Sequence, residues 1–252
     1  MPLKTRSRAR TPNSPQLTLP PPYTLISLRE VGDAFAHACS VAAEKGAGTL
    51  VYVGRFDLAE FAVVLEPEEP LRTARRAFYA GMAALADTLI GQAPPQTPLE
   101  ITWPDAVKVN FGLVGGGRLG WPKRADEDKP PAWLVFGASI RTVSMGGEAA
   151  INPLTTALED EGFEDFASDR LVEAFARHLM VMIDAWQEKG FAAVGREYLS
   201  RLAPEKGTRR DIDDNGDLLI RYVGKAETDR KKLLPLLANP SWLDRKTGGP
   251  RT

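Results

Sequence analysis

The sequence is short of the residues from which many active sites are built. It has one cysteine, Cys39, and two histidines, His37 and His178, among 252 residues. A single thiol excludes internal disulfides, thiolate-only zinc cages and CxxC redox chemistry, and it suits a reducing compartment. Two histidines far apart, each in an expected helix, supply a catalytic triad or a metal centre poorly, and neither GxSxG nor HExxH occurs. No run of 18 apolar residues is present, and the basic N-terminal stretch lacks an apolar core segment, so neither a membrane span nor a secretory signal is expected. Net charge is scarce too: 32 Lys and Arg against 33 Asp and Glu leave −1, which gives no global field toward nucleic acid. These absences point to a cytoplasmic protein with neither a nucleic-acid nor a membrane partner.

What is present is globular. With 43% hydrophobic and 26% charged residues, a chain of this length buries a substantial core. Residues 1–20 stand apart, carrying Lys4, Arg6, Arg8 and Arg10 among Pro2, Pro12, Pro15 and Pro20 with no acid, and are expected to form a disordered basic tail.

From Leu25 the chain is patterned. Ala34, Phe35, Ala38, Val41 and Ala42 mark a helix over roughly 31–44, with Gly46 placed as its cap. Apolar β-rich runs follow at 50–53 and 61–65. Phe78, Met82, Leu85 and Leu89 put one buried face on a helix over 71–90. Strands are expected at 99–103, 106–110, 113–119 and 133–140, the middle pair joined by a turn at Phe111-Gly112. Leu171, Phe175, Leu179, Met182 and Trp186 define a helix over 169–189 with Asp169 as candidate N-cap, and a shorter helix is expected near 194–202. After Pro204, Asn215-Gly216 reads as a hairpin turn opening a small C-terminal β unit. Because strands cluster instead of alternating with helices, the fold class is α+β with a mixed or antiparallel sheet. The expected division is a tail at 1–20, a main domain at 21–203 and a small domain at 204–252.

Three motifs carry chemistry by their letters alone. Gly115-Gly116-Gly117-Arg118-Leu119-Gly120 satisfies GxGxxG, but Trp121-Pro122 follows where a pyrophosphate-binding helix should begin, so the dinucleotide reading fails. Three glycines on a strand instead permit close approach of a ligand or of another strand. Asp211, Asp213, Asn215, Gly216 and Asp217 mimic half a calcium loop, yet Tyr222 holds the twelfth position and the hairpin explains the same residues. Cys39 lies two residues from His37 on a different helical face, which leaves a Cys-dependent acyltransferase as a weaker class.

Trp103-Pro104-Asp105, followed by Val107-Lys108-Val109 and Gly116, resembles the biotin protein ligase and lipoate ligase superfamily, in which a Lys-Trp-Pro-Asn-Asp motif leads through a hairpin to a Lys and a Gly. The segments Trp133 to Ile140, Ala185 to Phe191 and Asp211 to Ile220 are similar to later parts of that fold, so the resemblance covers about residues 23–222. It implies a two-step reaction: a carboxylate such as biotin, lipoate or a fatty acid attacks ATP to form an acyl-adenylate, which a lysine of an acceptor protein captures. Magnesium accompanies the ATP. The pattern departs at Thr102, Asp105, Ala106 and Leu113, which stand where the family has Lys, Asn, Asp and the hairpin Lys, and Gly54-Arg55-Phe56-Asp57 replaces the Arg/Gly-rich loop. It resembles most the divergent branch carrying a short extra C-terminal domain.

Strand alternation offers a substitute for the missing cation. A two-residue turn at Phe111-Gly112 sets Asn110 opposite Leu113 and puts Lys108 on their face. The expected catalytic residues are therefore Lys108 and Asp105, and the expected substrate-binding residues are Arg55, Trp103, Pro104, Gly115, Gly116, Gly117 and Arg118. A degenerate ligand-binding or regulatory module on the same scaffold is the alternative. Near the C-terminus, Trp242 stands in an otherwise polar stretch and needs burial, so Pro240 to Leu243 is expected to pack back onto the protein.

Overall fold

A computed structural model describes residues 17–144, 154–163 and 167–251. The main sheet has seven strands: β1 Thr24–Leu28, β2 Thr49–Gly54, β3 Leu58–Leu65, β4 Leu99–Thr102, β5 Ala106–Val109, β6 Gly112–Gly120 and β7 Leu134–Arg141. They lie in the order β1-β2-β3-β7-β6-β5-β4, antiparallel throughout except for the parallel β1–β2 pair. The long helices are α1 Ala34–Lys45, α3 Ala77–Ile90, α4 Ser168–Lys189 and α5 Phe191–Ser200, with a short α2 at Leu71–Ala74.

Alternation along the strands sorts the side chains onto two faces. Ala59, Phe61 and Val63 of β3 and Phe136, Ala138 and Ile140 of β7 join Phe78, Leu85, Phe175 and Leu179 in one large core beneath α3, α4 and α5. Ala62, Val64 and Val135 look the other way and meet Ala34, Ala38 and Ala42 of α1 in a smaller one. Helix α1 covers only part of that second face. Beyond it, over β5, β6 and β7, the cover is the C-terminal segment.

A second sheet of three antiparallel strands, β8 Thr208–Ile212, β9 Leu218–Tyr222 and β10 Thr228–Lys231, precedes the short helix α6 Leu233–Leu237. Thus the mixed α+β architecture and the β appendage are as the sequence implies.

Several local expectations need correction. The helix expected over 71–90 breaks at Arg75-Arg76 into α2 and α3. Asp169 caps nothing as an N-cap; Ala167 holds that place, and the Asp169 carboxylate accepts from the Arg170 amide. The Asn215-Gly216 turn sits inside a longer loop over 213–217, where Asp213 Oδ1 accepts from the amides of Asn215 and Asp217. Of the tail expected over 1–20, residues 1–16 lie outside the described residues. Leu17 is buried against the main core and the Thr18 amide donates to Glu173, because an apolar side chain here finds a place on α4.

Candidate functional site

The β5–β6 hairpin decides where Lys108 points. Asn110 and Phe111 carry φ of 47° and 69°, so they form the two-residue turn, and Gly112 already pairs with Val109. The expected turn at Phe111-Gly112 is one residue late, because Gly112 is needed for packing: a Cβ there would lie 2.7 Å from Thr156 Cγ2. Lys108 consequently faces Leu113 directly across the pair, where Asn110 was expected. A bulge after Val107 leaves Val114 without a partner and restores the alternation, so Ala106, Lys108, Leu113 and Gly116 share one face. Lys108 makes no hydrogen bond or ion pair among the described residues.

Along that face runs a row set by register. Glu60 of β3 lies opposite Ser139 of β7, Ser139 opposite Gly116 of β6, and Gly116 opposite Ala106 of β5. Glu60 is buried and accepts from the Ala34 amide at the start of α1 at 2.8 Å. Burial pushes its carboxyl above the ordinary range, and the Ala34 amide pulls in the opposite direction. Ser139 Oγ is buried with no hydrogen-bond partner among the described residues. Sequence reading missed both groups, although a lone acid inside the apolar run Leu58 to Leu65 was a signal.

At one end of the row sits Asp105, held from below. The Trp103–Pro104 peptide is cis, Trp103 Nε1 lies 3.3 Å from the Tyr79 hydroxyl, and the Tyr198 hydroxyl donates to the Pro104 carbonyl at 2.8 Å. Trp103 and Pro104 thus brace the motif from the helical side and do not line the row. The Asp105 carboxylate accepts the Ser241 amide at 2.7 Å and the Ser241 hydroxyl at 2.6 Å. Burial raises its pKa, and these two hydrogen bonds lower it without offsetting the rise.

The three glycines divide between the faces. Only Gly116 opens onto the row, where a Cβ would lie 1.9 Å from the Asp105 carbonyl oxygen and 2.4 Å from Trp242 Cδ1. Gly117 turns toward Met82 and Phe136 in the core, and Gly115, at the bulge, presses on the Ser139 carbonyl. Gly117 nonetheless offers its carbonyl to Trp242 Nε1 at 2.9 Å. Trp242 is buried as expected, against this strip of backbone.

Two arginines sit at the α1 end. Arg118 lies on the row's face, pairs with Asp33 at 2.9 Å and lies 4.2 Å above the Phe35 ring. Arg55 forks onto Asp57, and that hydrogen bond is the largest cause of its raised pKa. The thiol of Cys39 packs against the Gly120 position, and burial pushes it up to about 11, so it holds its proton at neutral pH. The calcium-like carboxylates are engaged too: Asp213 and Asp217 both pair with Arg230. A cleft of about 1240 Å³ opens on the helical face beside Tyr23, Met180, Trp186 and Phe191, and Asp105 does not line it. No described helix is long and apolar enough to cross a membrane.

The seven-stranded mixed sheet packed with helices, followed by a small three-stranded sheet, is shared with solved biotin protein ligases. The family described as biotin/lipoate A/B protein ligase matches residues 19–200, and the chain belongs to that family. It is similar to a biotin protein ligase-like protein of unknown function from Silicibacter sp. TM1040, with 28% identity, a TM-score of 0.73, and 88% of this chain and 98% of that one covered. The biotin protein ligase of Aquifex aeolicus shares the fold at 16% identity and a TM-score of 0.61, over 84% of this chain and 100% of its own. That of Leishmania major, in complex with biotinyl-5-AMP, does so at 13% identity and a TM-score of 0.54, over 84% and 100%. Among curated proteins, none matches the sequence.

Proposed function

We propose that this protein binds a small carboxylic acid, of the biotin, lipoate or fatty-acyl kind, on the Glu60–Ser139–Gly116 row and activates it with ATP for transfer to a lysine of an acceptor protein. The carboxylate oxygen attacks the α-phosphorus and pyrophosphate leaves; the acceptor amine then attacks the acyl carbon and AMP leaves. The Aquifex aeolicus enzyme has been solved in complex with biotin and ATP, which supports this ligand pair for the shared fold. Magnesium enters with the nucleotide as the counter-ion of its phosphates.

The observation that carries the reading is the placement of Lys108. It stands directly across the hairpin from Leu113, on the face of Gly116, with its ammonium group unpaired among the described residues. A lysine stem spans the roughly 7 Å between alternate residues of a strand, so the charge reaches the row. Positive charge fixed in place where the phosphorane develops is worth about 10²-fold or more in rate. Arg118, on the same face, adds a second cation once Asp33 yields it. Glu60 and the free hydroxyl of Ser139 supply acceptor and donor for a polar acyl head group, and Asp105 orders the turn beside them.

The test is detection of acyl-AMP by mass spectrometry after incubation with Mg-ATP and, separately, biotin, lipoate and octanoate. The expected result is an adenylate with at least one acid, falling about 10²-fold in Lys108→Ala while the fold persists. Undiminished adenylate in that variant overturns the role of Lys108. No adenylate with any acid, alongside a thermal shift by one of them, establishes the second reading, a ligand-binding module. Leu113 in the place of the family's cation favours that reading.

A further inference from the structure

The C-terminal segment 240–251 crosses the face of the sheet that α1 leaves uncovered. Trp242 is 1% exposed, yet it belongs to neither apolar core. Its indole rests on the bare backbone of Gly116 and donates to the Gly117 carbonyl. On one side Ser241 clasps Asp105 through its amide and hydroxyl. On the other, Arg141 donates to the carbonyls of Pro250 and Arg251, while the Arg251 amide returns to the Trp242 carbonyl. A bridge between Leu243 and Pro250 and a hydrogen bond from the Gly248 amide to the Asp244 carbonyl close the segment into a loop of its own.

Such a strap is held in a manner unlike the rest of the molecule. One large side chain anchors it, hydrogen bonds to the buried Asp105 and Arg141 hold its two sides, and Gly249 lies beside Leu58 of β3. Beneath it, Ser139 Oγ is left buried and unpaired, which costs free energy that a ligand offering a polar atom would recover. The glycine at 116, required for the indole to seat, is also what makes the trough wide enough for a flat ring.

We propose that Trp242 is a resident occupant of the ligand trough, and that the strap 240–251 is a displaceable gate which a flat-ringed or chain-like acid must lift to reach Ser139 and Gly116. The ligand's identity rests on the proposed function; the opening of the strap does not.

The test is hydrogen exchange of the intact protein, followed by mass spectrometry with and without biotin, lipoate or octanoate and Mg-ATP. In the free protein, amides of 241–251 are expected to exchange at least 100-fold faster than those of β6 and β7. Ser241→Ala, which removes one hydrogen bond to a charged group, is expected to speed that exchange about tenfold further. A bound acid should accelerate it again. In Trp242→Ala, provided circular dichroism shows a native fold, the affinity for that acid is expected to rise about tenfold. Strap amides that exchange no faster than β6 and β7, or an affinity unchanged or weakened in Trp242→Ala, make Trp242 a fixed wall and overturn the gate. An acid that binds without altering the strap's exchange overturns the gate as well; if the strap opens as described but none of the acids binds, the opening stands and the functional reading falls.

Discussion

At the scale of single residues, the Trp-Pro motif departs in charge from the pattern it resembles, and the structure shows how the departure at Asp105 is accommodated. Asp105 is a carboxylate where the family motif has Asn, and it is buried with Ser241 on both oxygens. Its folded pKa is raised, so burying the charged form costs stability that is absent when both folded and unfolded states are protonated and grows as pH rises through the carboxylate range. Asparagine keeps both bonds, accepting the Ser241 amide through Oδ1 and donating to the Ser241 hydroxyl through Nδ2, without the charge. Asp105→Asn is therefore expected to melt above the wild type at about pH 7, with the two curves converging near about pH 3, below ordinary carboxylate values. Thermal melts at three pH values check this, and a variant less stable at pH 7 would mean that the Arg251 charge outweighs burial. Asp105 was legible because a motif pointed to it. Glu60 stood out as a lone acid in an apolar run, but its alignment with Ser139 and Gly116 was not legible, since that register joins strands far apart in sequence.

At the scale of elements, the periodic segments were legible and the turn of the β5–β6 hairpin was not. Helices α3 and α4 announce themselves through repeating apolar positions, and β2, β3 and β7 through short β-rich runs, because burial on a known period leaves a direct trace in sequence. The β5–β6 hairpin shows what such patterning cannot see. A glycine beside the turn invites the left-handed conformation, but tertiary contact with Thr156 claims Gly112 and pushes that conformation onto Asn110 and Phe111. A non-glycine residue in this region costs about 1–2 kcal/mol, and Phe111 is 66% exposed, so little packing is lost with its ring. Phe111→Gly creates the Asn-Gly pair that such turns prefer, and is expected to stabilise the protein by about 1 kcal/mol in denaturant unfolding. The same variant keeps Lys108 opposite Leu113, so adenylate formation should persist. Destabilisation would show that Phe111 is held by a contact worth more than its backbone strain.

At the scale of the whole molecule, the C-terminal fifty residues behave as two different things. The sequence suggested one small domain there, and its hairpin was readable from Asn215-Gly216, but not the way each part attaches. Ile212, Leu218, Ile220, Leu233 and Leu237 belong to the same continuous core as the main sheet. The Tyr79 hydroxyl donates to the Gly216 carbonyl, Arg76 pairs with Glu69 and Asp214, and Asp217 accepts from the Leu233 amide. A sheet of three short strands has too little apolar surface to fold alone, so its stability is that of the interface. The strap beyond it shares none of this core and is anchored by Trp242 over Gly116 of the Glu60–Ser139–Gly116 row. The proposed gate therefore predicts two energies of opening, a local one for the strap and a global one for the appendage, which is expected to melt only with everything else. Ile220→Ala, at a position 1% exposed, is expected to lower stability by about 2–5 kcal/mol while far-UV circular dichroism and tryptophan fluorescence still report one coincident transition. Two separated transitions would mean that the appendage folds on its own core, and that the site answers only to the strap.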